Sequence, residues 1–214
     1  MEEIGQDFGH TLYSTTLNGP ADGWGMSIDK VHDRAQIFVD GEKKATVERW
    51  DKDSYNTRLG IPLDKGERAK LDILVENMGR VNYGNKIRDR KGIVGVRFGQ
   101  QYHFDWDMYP LTMEDLSRLE FTAASEADAP AFYRGYLDIS DAPKDTFIRL
   151  NGFTKGFVKI NGINIGRYFN TAGPQKTLYV PAPFLKQGKN EIVVFESDKV
   201  TTPEVEFTDI PDLG

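Results

Sequence analysis

At 214 residues the chain has room for one large or two ordinary all-β domains. Its 39% hydrophobic and 12% aromatic content suits packed cores, and 21 glycines with 10 prolines suit many short strands joined by tight turns. A net charge of −6 argues against phosphate-backbone binding as the main task, strand-length apolar runs leave no helical membrane span, and the lack of cysteine excludes disulfides, zinc–thiolate sites and cysteine nucleophiles.

The start of the chain has neither the basic segment nor the apolar run of a secretory signal. With no cysteine, the composition points to a cytoplasmic protein. Residues 10–17 alternate and are rich in Thr and Tyr, which predicts a first strand; a Gly/Pro/Asp loop follows, then a short strand over 26–29. Residues 35–39 alternate and end in Asp40-Gly41, a tight hairpin signal, with the return expected over 46–50. A short strand over 57–61 and a strongly apolar one over 70–77 come next. Residues 78–91 read as neither strand nor helix, and a long ordered loop after a buried strand is where function tends to sit. Strands over 92–98 and 102–106 close a first unit near Pro110, and residues 111–119 are expected as a short helix or turn.

The second half repeats the pattern. After strands over 131–139 and 146–150, residues 157–160 alternate into Asn161-Gly162, the sister turn signal. Phe157 and Lys159 on one side, Val158 and Ile160 on the other, predict faces of different character. Strands over 177–180, 190–197 and 205–208 follow, with one helical turn at 183–185. The strand ending at Asn77 lies 36 residues beyond Gly41, and the one ending at Glu196 lies 34 beyond Gly162. Two tandem domains of one fold are therefore expected, both β-sandwiches or jelly rolls, in an all-β class.

Particular residues carry a family likeness. The run Leu74-Val75-Glu76-Asn77-Met78-Gly79-Arg80-Val81-Asn82-Tyr83-Gly84, preceded by Val31-His32-Asp33-Arg34-Ala35, resembles the C-terminal region of bacterial-type β-galactosidases of glycoside hydrolase family 35. So do Lys155-Gly156-Phe157-Val158, Asn161-Gly162, Gly166-Arg167-Tyr168, Gly173-Pro174-Gln175, Thr177-Leu178-Tyr179-Val180-Pro181 and Asn190-Glu191. The likeness runs in order over almost the whole chain. It departs at Phe169, where the family usually has Trp, and at Lys159, where an aromatic or aliphatic residue is common.

The resemblance implies a parent enzyme with an N-terminal (β/α)₈ barrel bearing two catalytic glutamates, followed by galactose-binding-like jelly rolls. Residues 1–110 would be the first jelly roll, 111–130 a linker and 131–214 the second, which would lack one segment of the parent. The unpaired edge so left invites self-association. The parent would hydrolyse terminal β-linked galactose with retention of configuration. This chain would brace the barrel, with Tyr83 lining the substrate site. No catalytic residue, cofactor or metal is expected here, and no nucleic-acid or membrane partner. A free-standing carbohydrate-binding module is the alternative, and it needs an exposed aromatic platform or cleft. An autonomous hydrolase would need two carboxyls about 5–5.5 Å apart.

Glu76 ends a strand, where a carboxylate more often caps a turn or pairs with arginine than catalyses. Asp33-Arg34 and Asp89-Arg90 are expected as ion pairs or loop ties. Trp24, Trp50 and Trp106 could form a sugar platform, but half-buried core is the usual place for Trp in a sandwich. His10, His32 and His103 lack metal-ligand spacing, and Asp51-Lys52-Asp53 lacks the rest of a calcium loop. The basic run 86–91 reads as a solvated loop or a contact to the absent barrel.

Overall fold

A computed structural model describes residues 1–21, 25–52 and 58–214. Trp24, Asp53 and the start of the strand expected over 57–61 lie outside the described residues. The chain divides into two compact units, Met1–Asp115 and Leu116–Gly214.

In the first unit β1 (Gly9–Asn18), β3 (Arg34–Val39), β4 (Glu42–Glu48), β5 (Arg68–Asn77) and β8 (Asp107–Leu111) form an antiparallel sheet in the order β4-β3-β5-β1-β8. A smaller sheet, β2-β6-β7, is made by β2 (Met26–Asp29), β6 (Gly95–Phe98) and β7 (Gln101–His103). Every second residue of β5 (Leu71, Ile73, Val75) enters the core, as do Ala35 and Ile37 of β3, where they join Met26, Ile28 and Val96 of the small sheet. Each such side chain fully buried contributes about 1.5–3 kcal/mol.

The second unit has a four-stranded sheet, β12-β11-β14-β9, made of β9 (Ala131–Ile139), β11 (Lys155–Ile160), β12 (Ile163–Phe169) and β14 (Gly188–Glu196). Its companion is β13-β10-β15, made of β10 (Thr146–Arg149), β13 (Thr177–Val180) and β15 (Glu206–Thr208). Val158, Ile160, Ile192 and Val194 share a core with Ile148, Leu178 and Val180 of the smaller sheet.

The repeat expected from the turn signals is present in the register itself. Each Cα partner pair of β3 and β4 recurs in β11 and β12 at a constant offset of 121 residues: Phe38 opposite Lys43 becomes Lys159 opposite Asn164. The bulge falls at the same place, between Ile37 and Phe38 and between Val158 and Lys159. Both hairpins turn on residues of positive φ, Asp40 (50°) with Gly41 (81°) and Asn161 (50°) with Gly162 (83°), as a primed two-residue turn requires. Each turn side chain also staples the third strand. Asp40 Oδ1 accepts from the Lys70 amide at 2.8 Å, and Asn161 Oδ1 accepts from the Glu191 amide at 3.1 Å.

Two element bounds differ from expectation. Residues 111–119, expected as a short helix or turn, hold the turn, at Ser117-Arg118, closed by the Leu119 amide donating to the Leu116 carbonyl at 3.1 Å; Leu111 itself ends β8, and Pro110 lies within that strand opposite Thr11. Proline is accommodated there because, among the described residues, β8 is an edge strand with no partner on its outer side. The return strand of the first hairpin starts directly after the turn, at Glu42, and leaves Trp50 outside it, 49% exposed rather than half in the core. Strand β11 has the two faces of different character that its alternation predicts, and both are covered: all six of its residues are buried. On the face turned away from the core, the rings of Phe157 and Phe195 stack with centroids 5.2 Å apart, and Phe132 lies 4.9 Å from Phe195. The buried lysines Lys155 and Lys159 belong to that same face.

Candidate functional site

The loop from β5 to β6 is anchored at its base and open at its tip. Its anchor is Asp33, just before β3, which is 3% exposed. The backbone amide of Asp33 donates to the Glu76 carbonyl at 2.9 Å, which fixes it beside the end of β5. Its carboxylate then gathers both ends of the loop. Oδ2 accepts from the Met78 amide at 2.8 Å, where the loop begins. The Lys91 ammonium, where the loop ends, donates to Oδ1 at 2.8 Å and Oδ2 at 2.6 Å, and also to the Gly79 carbonyl at 2.6 Å.

Arg49 extends the tie into the middle of the loop. It donates to Asp33 Oδ1 at 2.8 Å and to Asp89 Oδ2 at 2.5 Å. Arg80 donates to the Asp89 carbonyl at 2.6 Å and to Glu2 at 2.7 Å, and His32 Nδ1 donates to the Arg90 carbonyl at 2.6 Å. Two carboxylates face two cations across Asp33, Asp89, Arg49 and Lys91, so the cluster balances its charge. Burial pushes the Asp33 carboxyl up, but Lys91, Arg49 and the Met78 amide outweigh it and hold it below the usual carboxylate range. Arg49 does the same for Asp89.

The tip is the reverse. Val81, Tyr83 and Ile87 are 38%, 87% and 43% exposed, and the Tyr83 side chain makes no hydrogen bond among the described residues. Gly84, at φ 89° and ψ −172°, turns the chain after Tyr83 in a conformation open essentially to glycine alone, and a 3₁₀ turn over Asn85–Arg88 follows. A tyrosine held this way offers a free ring and a free hydroxyl. The ring can stack on the C–H face of a sugar while the hydroxyl hydrogen-bonds.

The other candidates fall elsewhere. Glu76 is 6% exposed within the sheet, with Oε2 3.9 Å from His10 Nε2, so the strand-end carboxylate is structural. Trp106 packs against the core and donates Nε1–H to the His103 carbonyl at 3.0 Å. His103 lies edge-on between Phe98 and Trp106, and burial lowers its pKa. Among the described residues no three metal-capable side chains come together.

Asp33-Arg34 and Asp89-Arg90 are ion-paired as expected, but in crossed fashion: Asp33 to Lys91 and Arg49, Arg34 to Glu48 at 2.7 Å, Asp89 to Arg49, and Arg90 to Glu3. Lys91 corrects the reading of 86–91 as wholly solvated, because its side chain is 1% exposed. Its position directly before Gly92-Ile93, where the chain re-enters the core, was the available signal. The second unit has a buried carboxylate that sequence reasoning also passed over. Glu196 is fully buried and accepts from the Thr154 amide (2.7 Å), the Lys155 amide (3.0 Å), the Asp198 amide (2.7 Å) and the Tyr168 hydroxyl (3.1 Å). Burial nevertheless pushes its carboxyl up against the pull of those donors.

Comparison with known proteins covers both units. Residues 1–112 match the family described as "Beta-galactosidase, first all-beta domain", and residues 130–190 match "Beta-galactosidase, galactose-binding domain". The chain is similar to the human protein named Beta-galactosidase-1-like protein 2, 41% identical over 98% of this chain and 32% of the relative. Arabidopsis thaliana Beta-galactosidase 17 is 37% identical over 97% and 33% respectively, and human Beta-galactosidase is 37% identical over 99% and 35%. The chain thus spans about a third of the length of the curated relatives it matches.

Proposed function

This chain belongs to the β-galactosidase family, and on that premise we propose that it is the non-catalytic C-terminal portion of an enzyme that hydrolyses terminal β-linked galactose with retention. The observation that carries this reading is the match of both units to two all-β domains of the family, within relatives about three times as long. Catalysis then belongs to a (β/α)₈ barrel outside these 214 residues, whose described elements are strands and short 3₁₀ turns. The jelly rolls brace that barrel, and Tyr83 reaches from its anchored loop to line the galactoside site. The free ring at the tip and the ion-paired base support that role, because a stacking residue must be exposed yet held in place. We place the protein in the cytoplasm, on the absence of cysteine.

A second contact is self-association. In the first unit β8 covers the outer edge of β1, whereas β9, which occupies the place of β1 in the second unit, has only β14 beside it among the described residues. Such an edge pairs with another copy or with a further strand of the whole enzyme.

The purified chain is expected not to hydrolyse a chromogenic β-galactoside, and to do so once joined to its barrel. Turnover by the chain alone that persists through repeated purification, and that one carboxylate substitution within the chain abolishes, would sink this reading.

A further inference from the structure

We propose that the first unit carries a saccharide-binding cleft on the outer face of its large sheet, where β8 stops short of the end of β1. Strand β5 follows β1 along its whole length to Asn18, but β8 pairs with it only from His10 to Ser14. The chain reaches β8 through residues 104–106, and the Thr15 hydroxyl, donating to the Asp105 carbonyl at 3.0 Å, holds that approach against β1. A cleft of about 710 Å³ remains at the step.

The strand period decides what lines it. Tyr13 and Leu17 point into the core, so Leu12, Ser14, Thr16 and Asn18 share the outer face. The register sets Tyr109 opposite Leu12 and Asp107 opposite Ser14. The Ser14 hydroxyl is already engaged, donating to Asp72 at 2.6 Å, and Lys70 lies 3.3 Å from the same carboxylate. The Asp107 carboxylate, the Thr16 hydroxyl, the Asn18 carboxamide and the Tyr109 hydroxyl have no partner among the described residues. An acceptor, two hydroxyls and a carboxamide therefore converge on one cleft beside a tyrosine that is 50% exposed.

That combination fits a neutral saccharide. Carboxylates accept from adjacent sugar hydroxyls, the carboxamide both donates and accepts, and the ring packs on the C–H face. Phosphorylated ligands would meet Asp107 and Asp105, and a wholly apolar ligand would strand the polar wall. Neither Tyr83 nor its loop lines this site.

The test titrates the isotopically labelled 214-residue chain with galactose, β-linked galactobiose and maltose while following backbone amide resonances. Saturable shifts at Thr16, Asn18, Asp107 and Tyr109 are expected with at least one probe, with Kd on the order of 1 mM. Asp107→Asn and Tyr109→Ala replace exposed side chains, so well-dispersed spectra should persist while each weakens binding about tenfold. No saturable shift with any probe, shifts that map elsewhere, or unchanged affinity in both variants would overturn the proposal.

Discussion

The two units lay down the same four strands in the same order and hairpin register, yet they secure the strand ends with buried carboxylates of opposite character. In the first unit Asp33 faces two cations and is held as an anion, and a long loop is hung from it. In the second, Glu196 faces amides and a tyrosine hydroxyl, with its carboxyl pushed up by burial, and the chain runs on through a short segment. The same divergence appears at one register position. Arg34 opposite Glu48 is an ion pair; its counterpart, Lys155 opposite Phe169, places an ammonium 5.1 Å from a ring centroid. Backbone pairing and turn chemistry thus define the fold, while strand-end side chains decide which unit can carry an exposed, anchored loop.

The largest expected effect comes from breaking the anchor. Asp33→Ala leaves Lys91 buried without its carboxylate and should cost about 3–5 kcal/mol. All three tryptophans lie in the first unit, so urea unfolding followed by tryptophan fluorescence reads that unit. An unchanged midpoint would show that the anchor contributes nothing. Acid should separate the units in the same sense. The folded-state pKa of Asp33 is depressed, so its contribution is present above the unfolded value, about 3.9, and is lost as pH falls through the folded value. Glu196 is raised, so its contribution is present below the unfolded pKa and fades only as pH rises through the folded one. Below about pH 4 the fluorescence transition should therefore precede loss of the β14 amide resonances, and Asp33→Asn should flatten that acid limb. Simultaneous loss of both signals would erase the contrast.

Much of the fold was legible because it is local. Asp40-Gly41 and Asn161-Gly162 state their turn type in two residues, and the apolar runs of β5 and β14 state their burial. What escaped was non-local. Lys91 looks like one more cation in a basic run, and only its approach to Asp33, 58 residues away, explains its burial. The alternation of β11 predicts two faces of different character, but not that the Phe132, Phe157 and Phe195 rings cluster over the outer one. Tyr83 was visible as an aromatic in a long loop, and Asp33 and Asp89 as ion pairs or loop ties, but their partners Lys91 and Arg49 were not.

Smaller perturbations sharpen the likeness of the units. Gly41→Ala and Gly162→Ala each force a side chain into positive φ and should cost about 1–2 kcal/mol, by similar amounts because the turns match. A large difference in unfolding midpoints would mean that the turns are not equivalent. Phe169→Leu keeps an apolar side chain but removes the ring beneath Lys155, for about 0.5–2 kcal/mol. A neutral result in thermal unfolding would assign Phe169 to packing alone.

The most direct measurement of the central claim is Tyr83→Ala in the full-length enzyme proposed above, with galactoside kinetics and a melting curve on the same sample. An exposed residue on an anchored loop should leave Tm unchanged, while kcat/KM falls by about 10- to 100-fold through loss of one stack and one hydrogen bond. Normal kinetics with a sharply lowered Tm would make Tyr83 a packing residue and contradict the account.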